Sequence, residues 1–111
     1  VNRVLVLGLT FKENCPDIRN TRVIDIYSDL TEFGLGVTVY DPWVDKEEVK
    51  REFGITVVNK QSELTNNYSA LILAVSHQEF REIDISTLSA KRSFVYDIKG
   101  FLPKESVDNR L

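Results

Sequence analysis

The feature that most constrains the fold is the alternation of short apolar runs with segments of helical spacing. Runs of four to six mostly branched or aromatic residues are typical of buried strands, and they cover residues 4–7, 37–40, 55–58, 70–75 and 94–98. Parallel strands that alternate with helices require right-handed crossovers. The pattern therefore predicts a parallel sheet with helices on both faces.

Helical segments lie between these runs. The apolar residues that recur at three- and four-residue spacing are Val23, Ile26, Tyr27, Leu30 and Phe33. This spacing predicts a helix that packs one face on the sheet. Gly34 and Gly36 are expected to end it. Asp45 and Glu48 fit an N-cap followed by an acid at N3, which opens a short second helix that Gly54 ends.

The remaining helical patterns are weaker, at residues 62–66 and around Phe80 and Ile83. Together, these elements predict an α/β fold class, a Rossmann-like three-layer sandwich with a five-stranded, mostly parallel sheet of order 3-2-1-4-5. Only the tail from Lys104 to Leu111 looks detachable from this domain.

Length and charge narrow the function classes. A chain of 111 residues can bury one core, so we expect a single domain over 1–111. The net charge of -3 argues against general binding to nucleic acid or to an anionic membrane. The lone Cys15 fits a reducing cytoplasm and offers no cysteine metal cluster, and no apolar run is long enough to span a bilayer. A start at Val1 without Met is what a piece of a longer protein would look like.

Chemistry is expected at the carboxyl ends of the strands, where open α/β sheets bind ligands. The loop after the first strand, residues 8–20, reads GLTFKENCPDIRN and lacks the second and third glycines of a dinucleotide loop, which disfavours a free-standing NAD domain. Lys12 and Arg19, near a helix N-terminus, suit an anionic ligand. The alternative is that both are solvated loop charges, with Arg19 paired to Asp17 or Glu13.

The motifs decide between these readings. Residues 8–22, GLTFKENCPDIRNTR, closely resemble the carboxy-terminal domain of the UDP-glucose/GDP-mannose dehydrogenase family, which carries G-x-x-F-K followed by D-x-R. The resemblance continues through YDP at 40–42, AVSH at 74–77 with Phe80, and YDIKG at 96–100. It covers nearly the whole chain.

The resemblance implies roles for four residues. Phe11 and Lys12 would contact the nucleotide sugar, Lys99 would hold the substrate, and Arg19 would reach an NAD bound by a partner domain. Some relatives carry arginine at the position of Lys99. The guanidinium of arginine can bind a phosphate through two parallel hydrogen bonds, whereas the ammonium of lysine cannot. No catalytic residue and no metal ligand is expected within this chain.

The resemblance also implies an activity for the longer protein. Such enzymes join an amino-terminal NAD-binding domain, a helical dimer-forming middle and this carboxy-terminal domain in the cytoplasm, and they oxidise the C6 hydroxymethyl of a UDP-sugar to a carboxylate. The motifs look most like those of UDP-N-acetylglucosamine or galactosamine dehydrogenases of surface-polysaccharide synthesis. UDP-glucose and UDP-N-acetylmannosamine are alternatives, and this chain alone is predicted to be inactive.

Other polar residues have structural explanations. Asp41 is interpreted as part of an Asp-Pro turn, His77 as a hydrogen bonder in a loop, Trp43 as a loop anchor, and Cys15 as a packing or exposed residue instead of a nucleophile. Two different functions stay open. One is a stand-alone Rossmann-like module that senses a nucleotide, and the other is a protein-interaction domain without a ligand.

Overall fold

The fold is built on a parallel sheet. The computed structural model describes residues 3–10, 12–19, 21–65, 68–81, 83, 89–97 and 109–110, the last two ranges as backbone alone. Within these residues the strands are β1 Arg3–Leu7, β2 Gly36–Tyr40, β3 Tyr68–Leu73, β4 Ser89–Asp97 and β5 Asn109–Arg110. Their order is β2-β1-β3-β4-β5, and each neighbouring pair is parallel. The predicted α/β class with a parallel sheet is confirmed.

The predicted third strand, residues 55–58, is a single bridge between Tyr40 and Val58. Val58 N–H donates to the Val39 carbonyl at 2.8 Å, and no longer ladder follows. Ile55 and Val57 are buried instead in the core, so their apolar character reflects packing. The segment lies beside β2 as expected, but the five-strand order 3-2-1-4-5 as a whole remains a prediction.

The later strands differ from their predicted bounds. β3 ends at Leu73, and the amides of the next two residues, Ala74 and Val75, share the carbonyl of Leu7 as acceptor, at 2.9 and 3.3 Å. β4 begins earlier than the predicted run and ends at Asp97. The tail expected to be detachable carries β5, which pairs in parallel with β4, so that expectation is wrong for residues 109–110.

The two α-helices found in the described part of the chain begin and end close to the predicted residues. Helix α1 covers Val23–Glu32, and a Schellman motif ends it, because the N–H of Gly34 donates to Thr31 and that of Leu35 to Leu30. Phe33 was expected on the buried face but follows the last helical residue, and it is 83% exposed.

Helix α2 covers Lys46–Phe53. The Asp45 carboxylate caps its N-terminus by accepting a bond from the Glu47 N–H at 2.9 Å, and Gly54 ends it in the left-handed conformation. The predicted cap and stop are both confirmed.

Side chains alternate between the two faces of the sheet and divide the core in two. Val4 and Val6 face α1 and α2, whereas Leu5 and Leu7 face a second cluster that includes Phe80. On this second side the described residues form two 3₁₀ helices, Gln61–Glu63 and Gln78–Arg81, where weak helical patterns were predicted. Among the described residues no helix has the length and apolar character needed to cross a membrane.

Gly8, directly after β1, leaves no room for a side chain. Its φ is +104°, and a Cβ added there would lie 2.6 Å from the Cβ of Val75. A side chain at this position would therefore combine backbone strain with a clash. The absence of one lets the loops after β1 and β3 pack against each other.

Alanine at Gly8 should lower the free energy of unfolding by about 3–5 kcal/mol, from strain and overpacking together. The matched control is Gly34→Ala, since Gly34 has φ +81° but no atom within 4 Å of an added Cβ. Its free energy of unfolding should fall only by the cost of the backbone strain, about 1–2 kcal/mol. Urea unfolding measures both, and equal losses would contradict the close approach.

Candidate functional site

The loops that follow β1, β2 and β3 meet at one edge of the sheet. Leu7 is in register with both Tyr40 and Leu73, and Leu73 is in register with Asp97. The last residues of β1, β2, β3 and β4 are therefore level with one another. We call this side of the sheet the carboxyl edge.

Asp41 follows β2 at this edge and is fully buried. Its Oδ2 accepts hydrogen bonds from the backbone N–H of Leu9 at 2.7 Å and of Thr10 at 3.1 Å, and its Oδ1 accepts one from the N–H of Trp43 at 2.8 Å. A buried carboxylate requires such donors, because it has lost its water. Asp41 therefore does more than form the predicted Asp-Pro turn, since it also ties the loop after β1 to the end of β2.

His77, in the loop after β3, completes this arrangement and is also fully buried. Its Nε2 lies 2.9 Å from Asp41 Oδ2 and 3.0 Å from Thr10 Oγ1, and its Nδ1 accepts a bond from the N–H of Asn14 at 2.8 Å. An Nδ1 that accepts carries no proton, so the hydrogen is on Nε2 and the ring is neutral. The Thr10 hydroxyl donates to the carbonyl of Lys12 at 2.9 Å, which leaves its oxygen free to accept from His77.

Asn14 gives the second link between the loops after β1 and β3. It has a φ of +53°, a left-handed conformation that asparagine tolerates better than most residues. Its side-chain Oδ1 accepts a bond from the N–H of Gln78 at 2.8 Å. Asn14 thus joins the two loops twice. Its backbone N–H donates to His77, and its side-chain oxygen accepts from Gln78.

Aromatic rings cover the histidine. The Trp43 ring stacks on His77 with centroids 6.0 Å apart and an interplanar angle of 28°, and Phe80 meets His77 edge-on at 5.4 Å. The Trp43 indole N–H donates to Glu79 at 2.9 Å. Trp43 therefore anchors its loop, as the sequence indicates. We call Thr10, Asp41 and His77 the buried polar cluster, and the exposed Asn14 is hydrogen-bonded to it through His77.

The predicted cations on the first loop are both at the surface. Lys12 is exposed, and Arg19 is 85% exposed and forms two side-chain bonds with Asp17, at 3.0 and 3.2 Å. The hydrogen bonds from Arg19 lower the pKa of Asp17, with a smaller contribution from the charge of Lys12, and Asp17 in turn raises the pKa of Arg19. The ion pair that was the alternative reading of Arg19 is thus present.

A shallow depression of about 290 Å³ lies beside this ion pair, lined by Cys15, Pro16, Asp17, Ile18, Arg19 and Glu48. Cys15 is half-buried in its wall. The other two predicted ligand residues, Phe11 and Lys99, lie outside the described residues. Among the described residues no group of His, Cys, Asp and Glu could hold a metal ion.

The first loop does not fit the pyrophosphate of a dinucleotide. In dinucleotide-binding folds the loop amides are free to bind phosphate oxygens. Here the amides of Leu9 and Thr10 donate to Asp41, and that of Gly8 donates to the carbonyl of Tyr40 at 2.8 Å. The carboxylate of Asp41 thus accepts from amides at the start of the loop, where such folds usually present amides to a phosphate.

Sequence reasoning weighed Asp41 and His77 one at a time and missed the cluster. It did not single out Thr10 or Asn14. One signal was available, because polar residues follow three strands whose carboxyl ends must meet at one edge. Nothing in the spacing of 36 residues between Asp41 and His77 indicates that they are hydrogen-bonded.

Comparison with known proteins identifies the relatives of this arrangement. The model of the UDP-glucose/GDP-mannose dehydrogenase family, UDP binding domain, matches residues 5–104. The chain is 48% identical to a UDP-N-acetyl-D-glucosamine 6-dehydrogenase of Salmonella typhi and 46% identical to one of Pseudomonas aeruginosa. These matches cover 97% and 98% of this chain, but 26% of each relative. The chain thus spans about a quarter of their length.

A solved structure agrees with these matches. The UDP-N-acetyl-mannosamine dehydrogenase Cap5O from Staphylococcus aureus superposes with a TM-score of 0.75 at 27% identity. The match covers 99% of this chain and 25% of that one.

Asparagine at position 41 should lower the free energy of unfolding by about 3 kcal/mol, because one side-chain oxygen cannot serve all the donors that two now serve. Asp17→Asn is the matched control, since Asp17 lies at the surface and serves mainly Arg19. Its effect should be far smaller. Urea unfolding at neutral pH measures both variants. Similar losses would mean that Asp41 does not hold the loops together.

Proposed function

The chain belongs to the UDP-glucose/GDP-mannose dehydrogenase family, and on this premise we propose that it binds the UDP part of a nucleotide sugar at the carboxyl edge of its sheet. The longer protein would be an NAD-dependent UDP-sugar 6-dehydrogenase, and this chain its substrate-holding carboxy-terminal domain over 1–111. The observation that carries the proposal is the fixed loop after β1, which presents the exposed Lys12 beside the ends of the strands.

Lys12 and Lys99 are proposed to meet the negative charge of the diphosphate. Lys12 is five residues beyond β1, and Lys99 is two residues beyond Asp97, the last residue of β4. β1 and β4 are separated by β3 alone, so their ends are about 10 Å apart. That distance is within reach of two lysine side chains that approach one diphosphate. Phe11, next to Lys12 in the sequence, is proposed to add an apolar contact with the nucleotide sugar.

Arg19 is proposed to act toward the cofactor. Because the first loop does not fit a dinucleotide, NAD would be bound mainly by the amino-terminal domain of the longer protein. When bound there, NAD would accept the hydride. Arg19 is 85% exposed, so its guanidinium can reach a neighbouring domain. Its pairing with Asp17 at the surface is weak enough to be exchanged for a phosphate.

The proposed substrate is a UDP-N-acetylhexosamine, with N-acetylglucosamine or galactosamine as the sugar, in surface-polysaccharide synthesis. The relatives at 48% and 46% identity, both named UDP-N-acetyl-D-glucosamine 6-dehydrogenases, favour it. UDP-N-acetylmannosamine is an alternative, since the solved neighbour Cap5O acts on that sugar, and UDP-glucose is another, because a Rhizobium meliloti UDP-glucose 6-dehydrogenase is 30% identical. In either case the uridine diphosphate is common to the ligands.

The remaining assignments follow the family. The full-length protein would be a homodimer through a central domain, located in the cytoplasm. The domain itself would be a Rossmann-like three-layer sandwich in which segment 55–58 extends the sheet beyond β2, so that the five predicted strand runs, numbered along the chain, take the order 3-2-1-4-5. A stand-alone nucleotide-sensing module is the alternative function, and an upstream coding frame with a dinucleotide-binding domain and a catalytic cysteine would argue against it.

Titration calorimetry with UDP tests the site. Lys12→Ala should weaken binding about 10- to 100-fold, the loss expected for one charge-assisted hydrogen bond to a phosphate. Lys50→Ala is the control with the same change in charge. Lys50 lies in the last turn of α2, which runs back toward the opposite edge of the sheet, so its loss should leave the affinity near that of wild type. Equal affinities for both variants would remove Lys12 from the site.

The purified chain, mixed with NAD and a panel of UDP-sugars, should produce no NADH. The physical reason is that the amides of Gly8, Leu9 and Thr10, which open the first loop, are already bonded within the chain, and the one cysteine lies in the wall of a surface depression. Absorbance at the NADH band measures the result. A clear increase with any of the sugars would show that the chemistry is carried by this chain.

A further inference from the structure

The backbone around Lys12 is held at three points, and each contact leads to the buried polar cluster. Before it, the amide of Thr10 donates to Asp41. At Lys12 itself, the carbonyl accepts from the Thr10 hydroxyl. After it, the amide of Asn14 donates to His77. The side chain of Lys12 is at the surface, but the backbone that carries it is fixed from the interior.

We propose that Asp41 and His77 are positioning residues for Lys12. They would not touch UDP, and they would raise its affinity by holding the loop in the conformation that binds. The inference rests on the proposed binding of UDP at Lys12. A loop that is ordered before binding does not lose its conformational freedom on binding, and this loss otherwise weakens affinity.

His77 is the part of the cluster that can be dissected. Its two ring nitrogens have different tasks, because Nδ1 accepts from Asn14 and Nε2 donates to Asp41. Asparagine places a polar atom about where Nδ1 lies, whereas glutamine reaches about as far as Nε2. His77→Asn therefore keeps the bond to the Lys12 loop, and His77→Gln keeps the bond to Asp41.

These two variants should rank in opposite order in two measurements. In urea unfolding, His77→Asn should be the less stable, because it removes a donor from a buried carboxylate. In UDP calorimetry, His77→Gln should be the weaker binder, by about 5- to 30-fold relative to wild type, because the Asn14 end of the loop is released. A purely structural role for His77 predicts that affinity follows stability, and that result would overturn the proposal.

A double-mutant cycle with Lys12→Ala gives the second readout. If His77 acts through Lys12, then His77→Gln should lose its effect on UDP affinity in the Lys12→Ala background, although its effect on unfolding remains. If the effects of His77→Gln and Lys12→Ala on UDP affinity are independent, so that the two fold-changes multiply in the double variant, the positioning role is overturned. If Lys12→Ala alone binds as wild type does, the proposed UDP site fails first, so the two failures are distinguishable.

Asn14 provides a second test should a His77 variant fail to fold. Asn14→Gly keeps the positive φ and the amide that donates to His77, and it loses only the side-chain bond to Gln78, whereas Asn14→Ala also strains the backbone that carries this amide. UDP affinity should therefore be lower for alanine than for glycine, and this difference should vanish in the Lys12→Ala background. Equal affinities of Asn14→Gly and Asn14→Ala would overturn the proposal.

Discussion

The structure depends on one buried carboxylate. Asp41 has no access to water, so all of its hydrogen bonds must come from the protein. It obtains them from the backbone of the loop after β1, from the N–H of Trp43 and from the ring of His77. Since these donors belong to loops that follow three different strands, satisfying this one group fixes the shape of the carboxyl edge.

This solution changes what the edge can bind. In many doubly wound folds the first loop offers free amides to a phosphate, but here the amides of Gly8, Leu9 and Thr10 are already bonded within the chain. Side chains that extend beyond the cluster can instead meet the negative charge of a ligand. Lys12 fits this need, because its backbone is fixed from below while its ammonium remains in water. The cluster would fix the conformation of the loop, and Lys12 would provide the positive charge. Stability and ligand contact would then depend on different residues.

The fold was predictable where local signals and packing agree. The β1 run at 4–7, the Asp45 cap and the Gly54 stop depend on neighbouring residues alone, and each was found. For segment 55–58 the apolar pattern indicated burial but not the length of the ladder, because core residues beside a single bridge show the same pattern as a longer strand. Phe33 was misplaced because helical spacing does not show where a Schellman motif ends the helix.

The candidate site was predictable only in part. Lys12 and Arg19 lie at the surface of the expected loop, and Phe11 and Lys99 remain predictions. The contact between Asp41 and His77 is non-local, and each residue has an ordinary local explanation, so neither suggested the other. Family motifs indicated the ligand class. The hydrogen bonds that arrange the loop are non-local, so the sequence pattern did not predict them.

Amide hydrogen exchange of the wild-type chain tests the central claim most directly. If Asp41 and His77 hold the edge, the amides of Leu9, Thr10, Asn14 and Trp43 should exchange nearly as slowly as those inside β1, although they lie in loops. Exchange at the rate of an open loop for these four amides, with β1 still protected, would contradict the account.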